Sequence, residues 1–321
     1  MDAVTNTVQK LLLAAPRGYC AGVDRAVQTV ERALEQHGAP VYVRKQIVHN
    51  KHVVEDLAGR GAVFVDDVRD IPEGALTVFS AHGVSPMVRE AAQARNLQTI
   101  DATCPLVTKV HREAVKFAEE DYTIVLVGHA GHEEVEGTTG EAPERIVLVE
   151  NEQDVDALEV KDPERVAYIT QTTLSVDETS AIVQRLHERF PSIASPRTDD
   201  ICYATTNRQA AVKQMAGECD LLLVIGSRNS SNSVRLVEVS RDFGTDAYLI
   251  DNAGEVREEW LAGKRIVGVS SGASAPENLV QELVAFFEQR GVSDVQEFHV
   301  VREDVRFMLP KPIREATAAA S

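Results

Sequence analysis

DATCPLVTKVHREAVKFAEEDYTIVLVGHAGHEEVEG, Asp101 to Gly137, holds a cysteine at a helix start, an apolar run after that helix, and a polar tip carrying His132 and Glu134. Pro105 suits a first helical position, and Val107, Val110, Ala114 and Phe117 recur on one face of the helix it opens. The run TIVLVG then reads as a buried strand. The same pattern occurs before and after this stretch, and that repetition decides the fold.

Upstream, LLLAA (11–15) reads as a short strand, followed by the turn Pro16–Cys20 and a helix with the stripe Val23, Ala26, Val27, Val30, Ala33 and Leu34. Gly38 ends it as a C-cap. The strand VYVRKQIV (41–48) leads to the tip His49-Asn50, and LTVFS leads to a second tip, Ala81 to Pro86, containing His82. Downstream of the opening stretch, VAYIT delivers the tip Gln171-Thr172-Thr173-Leu174-Ser175, and the segment SIASPRTDD leads to Cys202. A third pass follows. Helix TTNRQAAVKQMAG, strand DLLLVIG, the tip SRNSSNS (227–233), helix VRLVEVSRD and strand RIVGVS reach a tip from Ser271 to Pro276, and then a helix and the strand VQEFHV.

Spacing supports the likeness. Cys20 to His49, Cys104 to His132 and Cys202 to Ser230 are separations of 29, 28 and 28 residues. The second tips lie 62, 68 and 72 residues from the same cysteines, at His82, Thr172 and Ser274. We therefore expect an α/β fold of three pseudo-equivalent small units: residues 21–103, residues 104–201, and residues 202–310 with the N-terminal strand of 1–20 added. Residues 311–321, ending ATAAAS, read as a frayed tail. Strands alternating with helices imply parallel sheets, whose ligands gather beyond the carboxyl ends of the strands. Every cysteine and tip in the repeat follows a strand, so three units facing one axis would bring three cysteines together.

Composition narrows the function. A net charge of -17 excludes a general nucleic-acid binder, which needs clustered Lys and Arg. No apolar run approaches the ~18 residues of a membrane helix. The opening MDAVTNTVQKLLLAAP lacks a basic segment and has an apolar patch of only about five residues, which leads to an expected cytoplasmic location. Four cysteines in 321 residues are too few for a disulfide scaffold.

Cys20, Cys104 and Cys202 hold matching positions near helix N-termini, where a thiolate is favoured, whereas Cys219 has no counterpart and reads as structural. Three converging thiolates suit a metal centre. A structural zinc site would want a fourth ligand, while an iron-sulfur cubane held by three cysteines leaves one iron open; the residues favour the cluster and leave zinc or mere burial as alternatives. His49, His82, His132, Ser230, Ser231, Asn232 and Ser274 would present imidazole, hydroxyl and amide donors suited to a phosphate or diphosphate. Glu134 is the tip carboxylate best placed to move a proton, with Thr172 and Thr173 entering the same space; Glu133 and Glu136 read as solvated. His37, His52, His111 and His187 read as surface positions.

GYCAGVDRA, VHN, SAHGVSP, DATCPLVTKVH, GHEEVEGT, TQTTLS, DICYATTNRQ, GSRNSSNS and GASAPE, from Gly18 to Glu277, resemble in content and order the motifs of the hydroxymethylbutenyl diphosphate reductases (LytB or IspH type) of the non-mevalonate isoprenoid pathway. Tyr19 stands where that family commonly has Phe, and no ligand position departs from its pattern. The resemblance implies a trefoil of three α/β units around a central [4Fe-4S] cluster held by Cys20, Cys104 and Cys202, with the fourth iron facing the substrate hydroxyl. It implies that His49, His82, His132, Ser230, Ser231, Asn232 and Ser274 hold the diphosphate and that Glu134 and Thr172 deliver protons. The implied reaction removes the allylic hydroxyl with two electrons and two protons, giving isopentenyl and dimethylallyl diphosphates. A ferredoxin or flavodoxin would supply the electrons, since the chain has no G-x-G-x-x-G fingerprint. The alternatives are another three-cysteine trefoil enzyme resembling quinolinate synthase, whose dicarboxylate chemistry would call for Arg or Lys in the tips, and an iron-sulfur sensor, which would carry a basic helix or an appended module.

Overall fold

The computed structural model describes residues 7–319. In chain order the elements are β1 (Lys10–Ala15), α1 (Ala21–His37), β2 (Val41–Arg44), α2 (Lys51–Gly59), β3 (Ala62–Val65), β4 (Leu76–Phe79), α3 (Pro86–Ala94) and β5 (Gln98–Asp101). Next come α4 (Pro105–Glu119), β6 (Thr123–Val127), α5 (Glu133–Thr139), β7 (Ile146–Val149), α6 (Glu152–Ala157), β8 (Val166–Thr170) and α7 (Val176–Arg189). The last group is α8 (Tyr203–Ala216), β9 (Leu221–Ile225), α9 (Ser231–Asp242), β10 (Ala247–Ile250), α10 (Glu258–Leu261), β11 (Ile266–Ser271), α11 (Glu277–Glu288), β12 (Asp294–His299) and α12 (Lys311–Ala319).

The strands form three sheets, ordered β10-β9-β11-β1-β12, β3-β2-β4-β5 and β7-β6-β8. All their pairings are parallel. Parallel sheets are covered on both faces, which explains why a strand such as β9, LLLVI, is apolar at every position and buried throughout. Its odd residues Leu221, Leu223 and Ile225 pack with α11, and its even residues Leu222 and Val224 pack with α8 and α9. In the three-stranded sheet β6 divides in the same way, Val125 and Val127 towards Leu186 of α7, Ile124 and Leu126 towards Val110 and Phe117 of α4.

The chain forms two compact units, one of Met1–Cys20, His49–Val53 and Tyr203–Val305, the other of Ala21–Val48, Val54–Cys202 and Arg306–Ser321. The first holds the five-stranded sheet, in which β1 runs between β11 and β12; the second holds the four- and three-stranded sheets. The smallest sheet lacks a fourth strand because SIASPRTDD makes only a single parallel bridge, Ala167 to Ala194.

Several local expectations need correction. The strand at 41–48 stops at Arg44, because Lys45 turns the backbone to a φ of 58°. Helix α5 follows the tip at His132, and its seven residues, including Gly137, are too few to show a helical period in the sequence. Helix α9 begins at Ser231, three residues before its apolar stripe, because Ser230 caps it by accepting the N–H of Ser233. The expected tail is helical from Lys311 to Ala319, with Ile313 fully buried and α12 packed on α1; Gln36 Nε2 donates to the Ile313 carbonyl at 3.0 Å. Residues 1–6 of the N-terminal segment and 320–321 of ATAAAS lie outside the described residues.

Candidate active site

The cysteines share one local geometry. Cys104 caps α4, and Cys20 and Cys202 immediately precede α1 and α8. Each donates its backbone N–H to a carbonyl at the end of a neighbouring strand: Cys20 to Ala273 at 3.2 Å, Cys104 to Ala81 at 2.9 Å and Cys202 to Thr172 at 3.0 Å. The residue after each acceptor is Ser274, His82 or Thr173. Thr173, rather than Thr172, is therefore the counterpart of His82 and Ser274, a one-residue refinement that spacing alone could not supply. All three thiols are of intermediate exposure at strand-to-helix turns. Cys219 differs: it packs against the five-stranded sheet beside Met215, and burial pushes its thiol up to about 11. This donor set fits thiolate ligation at positions 20, 104 and 202 and disfavours it at 219.

In the second compact unit His82 and His132 meet edge to face with ring centroids 6.0 Å apart. His132 caps α5, its Nδ1 accepting the N–H of Glu134 at 3.2 Å, so the proton of the neutral ring sits on Nε2. Burial lowers both imidazoles to about 4; Arg44 adds to the effect at His82, and His82 adds to it at His132. At neutral pH both are uncharged N–H donors. An arriving phosphate would favour their protonation.

Glu134 is 2% exposed. Its Oε1 accepts the Thr172 N–H at 2.6 Å, and its Oε2 accepts the Thr172 hydroxyl at 3.0 Å. Burial pushes the carboxyl up to about 7; the two Thr172 hydrogen bonds oppose the shift, and Asp200 adds a smaller upward push. An acid poised near neutrality beside a hydroxyl can both hold and release a proton. Thr173 takes a hydrogen bond from Gln171 Nε2 at 3.0 Å, and Gln171 Oε1 accepts the His129 N–H at 3.1 Å.

Two expectations about neighbouring groups are overturned here. Glu133 is not solvated: its side chain is 12% exposed and its Oε2 lies 3.1 Å from His82 Nδ1, because α5 turns it inward, whereas Glu136 is exposed. His111 is not a surface residue: it is 5% exposed on the inner face of α4, with Nδ1 2.7 Å from Glu141 Oε1. His52 is half-buried with an enclosed Nε2, while His37 and His187 are exposed.

In the first compact unit Ser230, Asn232 and Ser274 are buried, and Ser231, the first residue of α9, is half-buried. Asn232 Oδ1 accepts the Ala273 N–H at 2.8 Å, and its Nδ2 donates to Thr205 Oγ1 at 3.3 Å. Ser274 donates its hydroxyl to the His49 carbonyl at 2.9 Å, and His49 Nδ1 lies 3.3 Å from Asn229 Nδ2. These contacts bring His49, Ser230, Ser231, Asn232 and Ser274 to one edge of the five-stranded sheet. Close approach is made possible by glycine: a Cβ at Gly272 would lie 1.9 Å from Ser233 Oγ, and one at Gly226 would lie 2.2 Å from it. The sequence assigned no role to Thr205 or Gln171, although each sits inside a motif it singled out; neither residue type marks itself, and only the fold shows what it orients.

Residues 11–288 match the family model described as LytB protein. A curated relative from Nocardia farcinica, named 4-hydroxy-3-methylbut-2-enyl diphosphate reductase, is 62% identical over 310 residues, covering 96% of this chain and 92% of its own. A relative of the same name from Leifsonia xyli is 62% identical over 311 residues, covering 97% and 92%. Among solved structures, the E-1-hydroxy-2-methyl-but-2-enyl-4-diphosphate reductase from Plasmodium falciparum superposes with a TM-score of 0.95 at 40% identity, covering 98% of this chain and 99% of that one. A second, described as (E)-4-hydroxy-3-methyl-but-2-enyl diphosphate reductase, the terminal enzyme of the non-mevalonate pathway, gives a TM-score of 0.63 at 32% identity, covering 88% and 100%.

Proposed function

Because the chain belongs to the LytB protein family, we propose that it is the enzyme that reduces (E)-4-hydroxy-3-methylbut-2-enyl diphosphate, the last step of the non-mevalonate isoprenoid pathway. The allylic C–O bond is cleaved with two electrons and two protons; the hydroxyl leaves as water, and isopentenyl and dimethylallyl diphosphates result. The observation that best supports the reading within the chain is the Glu134–Thr172 pair, a buried acid held near neutrality at a strand end.

Cys20, Cys104 and Cys202 are assigned as ligands of a [4Fe-4S] cluster, and the threefold division of the chain around them belongs to the same reading. When bound, such a cluster supplies the electrons and a Lewis-acidic iron at the allylic hydroxyl. The chain's own residues do the rest. His49, His82, His132, Ser230, Ser231, Asn232, Ser274 and Thr173 hold the diphosphate through N–H and O–H donors. Two imidazoles that burial keeps neutral allow the site to form without mutual repulsion, and they can gain charge as the phosphate enters. Glu134 releases its proton towards the leaving hydroxyl through Thr172: with Oε1 accepting the Thr172 N–H, the acidic proton sits on Oε2 and passes to Thr172 Oγ1, 3.0 Å away, whose own hydroxyl proton moves on to the substrate. Protonation turns a poor leaving group into water. A ferredoxin or flavodoxin is the proposed donor and the cytoplasm the proposed compartment; among the described residues no helix is long and apolar enough to cross a membrane.

The test is substrate-dependent oxidation of a reduced viologen by anaerobically purified protein, together with its visible spectrum. Broad absorbance that changes on adding the diphosphate, and turnover, are expected. Colourless protein without turnover overturns both the cluster and the reaction.

A further inference from the structure

Each of the three cysteine-headed helices carries in its second turn a basic residue that bonds the backbone ahead of another cysteine: Arg25 on α1, Lys109 on α4 and Arg208 on α8. Arg25 donates from Nη1 to the Thr103 carbonyl at 3.0 Å and from Nη2 to the Asp101 carbonyl at 3.4 Å, the backbone that leads into Cys104. Lys109 Nζ donates to the carbonyls of Thr198 at 2.6 Å and Asp199 at 3.0 Å and to Asp200 Oδ1 at 2.9 Å, the backbone that leads into Cys202. Arg208 donates from Nη2 to the Gly18 carbonyl at 2.7 Å, two residues before Cys20. Each contact lies inside one compact unit. The order is cyclic: the helix of Cys20 holds the approach to Cys104, that of Cys104 holds the approach to Cys202, and that of Cys202 holds the approach to Cys20.

We propose that Arg25, Lys109 and Arg208 are three equivalent positioning residues, each fixing the backbone of the next cysteine so that the thiols are set before any cofactor arrives. The physical basis is that a cation hydrogen-bonded to carbonyls is worth more than a neutral donor, and a preformed ligand set loses less ordering entropy on binding. Further anchors support this in every case, and burial adds to it at Arg208. Arg208 is fully buried, with Nη1 donating to the Ala204 carbonyl at 3.1 Å and to Glu303 Oε1 at 3.1 Å. Arg25 Nε donates to the Met308 carbonyl at 2.8 Å. Asp200, held by Lys109, accepts the Thr170 N–H at 2.9 Å, at the start of the strand end that receives the Cys202 N–H. The cysteine is thus held from both sides.

The inference rests on the assignment of these cysteines as cluster ligands, so the main readout is made on the full-length apoprotein, where it does not depend on a cluster. Alkylation rates of the individual cysteines are followed by mass spectrometry in Arg25→Met, Lys109→Met and Arg208→Met, with Cys219 as the internal reference for global loosening. Arg25→Met accelerates labelling of Cys104, Lys109→Met that of Cys202 and Arg208→Met that of Cys20, each by about fivefold or more through local opening, with the other cysteines little changed. Lys116→Met, an exposed change on the same helix as Lys109, alters nothing. Acceleration at the cysteine of the variant's own helix, uniform acceleration including Cys219, or no acceleration overturns the proposal. Arg25 and Lys109 are only half-buried, and their variants decide the matter if Arg208→Met does not fold. In reconstituted holoprotein, iron is lost to a chelator faster in all three Met variants than in wild type. A wild type that takes up no iron removes the cluster assignment and leaves the labelling pattern to judge the clamps.

Discussion

Glu134 carries the chemistry that is most sensitive to its surroundings. Its folded value of about 7 stands above the ordinary 4.5, so between those two pH values the folded chain binds more protons at this site than the unfolded one. Stability therefore falls as pH rises through that window and levels off above about pH 7. In apoprotein, Glu134→Gln abolishes this component, worth roughly 3 kcal/mol, and denaturant midpoints at pH 5 and pH 8 compared between the two proteins measure it. In the reconstituted enzyme the same substitution keeps substrate binding and loses turnover by about a hundredfold, the usual contribution of a positioned acid. Unchanged turnover with reduced viologen removes Glu134 from proton delivery. The sequence singled out this carboxylate and read Glu133 and Glu136 as solvated; the seven-residue helix α5 instead turns both Glu133 and Glu134 inward and leaves Glu136 exposed. It also gave no sign that Glu133 approaches His82 or that His111 is buried against Glu141, since both depend on what a distant element presents.

At the scale of elements, strands were easier to read than short helices. An all-apolar run such as β9 announces a strand covered on both faces, whereas α5 offers a polar segment whose helical state depends on its cap at His132. The start of α9 shows the same dependence and leads to a test. Ser233, in its first turn, sits where Cβ atoms on Gly226 and Gly272 would be, so α9 can approach the ends of β9 and β11 only because both residues are glycine. Gly272→Ala places a methyl 1.9 Å from Ser233 Oγ and 3.0 Å from its Cβ, and an overpacked site of this kind costs about 1–3 kcal/mol. Ser233→Ala removes the closer clash and restores part of the loss, so a double-mutant cycle in chemical denaturation gives a favourable coupling. Additive effects would show that α9 moves away from the strand ends at little cost. The helix at Lys311–Ala319 was illegible for a different reason: its alanine-rich sequence holds one large apolar residue, Ile313, and that residue alone shows docking once its burial is known.

For the whole molecule, the repeat was legible because each pass couples a cysteine to a tip at nearly constant separation, and random composition does not hold 29, 28 and 28 residues across three segments. What the separations could not carry is the register at the second tips, which follows from the cysteine N–H bonds to Ala81, Thr172 and Ala273 and pairs Thr173 with His82 and Ser274. The same bonds separate the fourth cysteine from the other three. Cys219 precedes a strand, sits in an apolar contact set with a thiol raised to about 11, and has no place in the cyclic order, so it cannot substitute for a missing ligand. Cys202→Ser is therefore expected to lose cluster iron on anaerobic reconstitution while Cys219→Ser retains it, as measured by iron per chain and visible absorbance. Because Ser at position 202 keeps the backbone N–H that bonds Thr172, the apoprotein of Cys202→Ser should melt within a few degrees of wild type, the range of about 1 kcal/mol. Iron loss with an intact fold then reports ligation. Equal iron loss in both variants would mean that the threefold equivalence of the cysteines, however regular in spacing and hydrogen bonding, does not set which thiols bind.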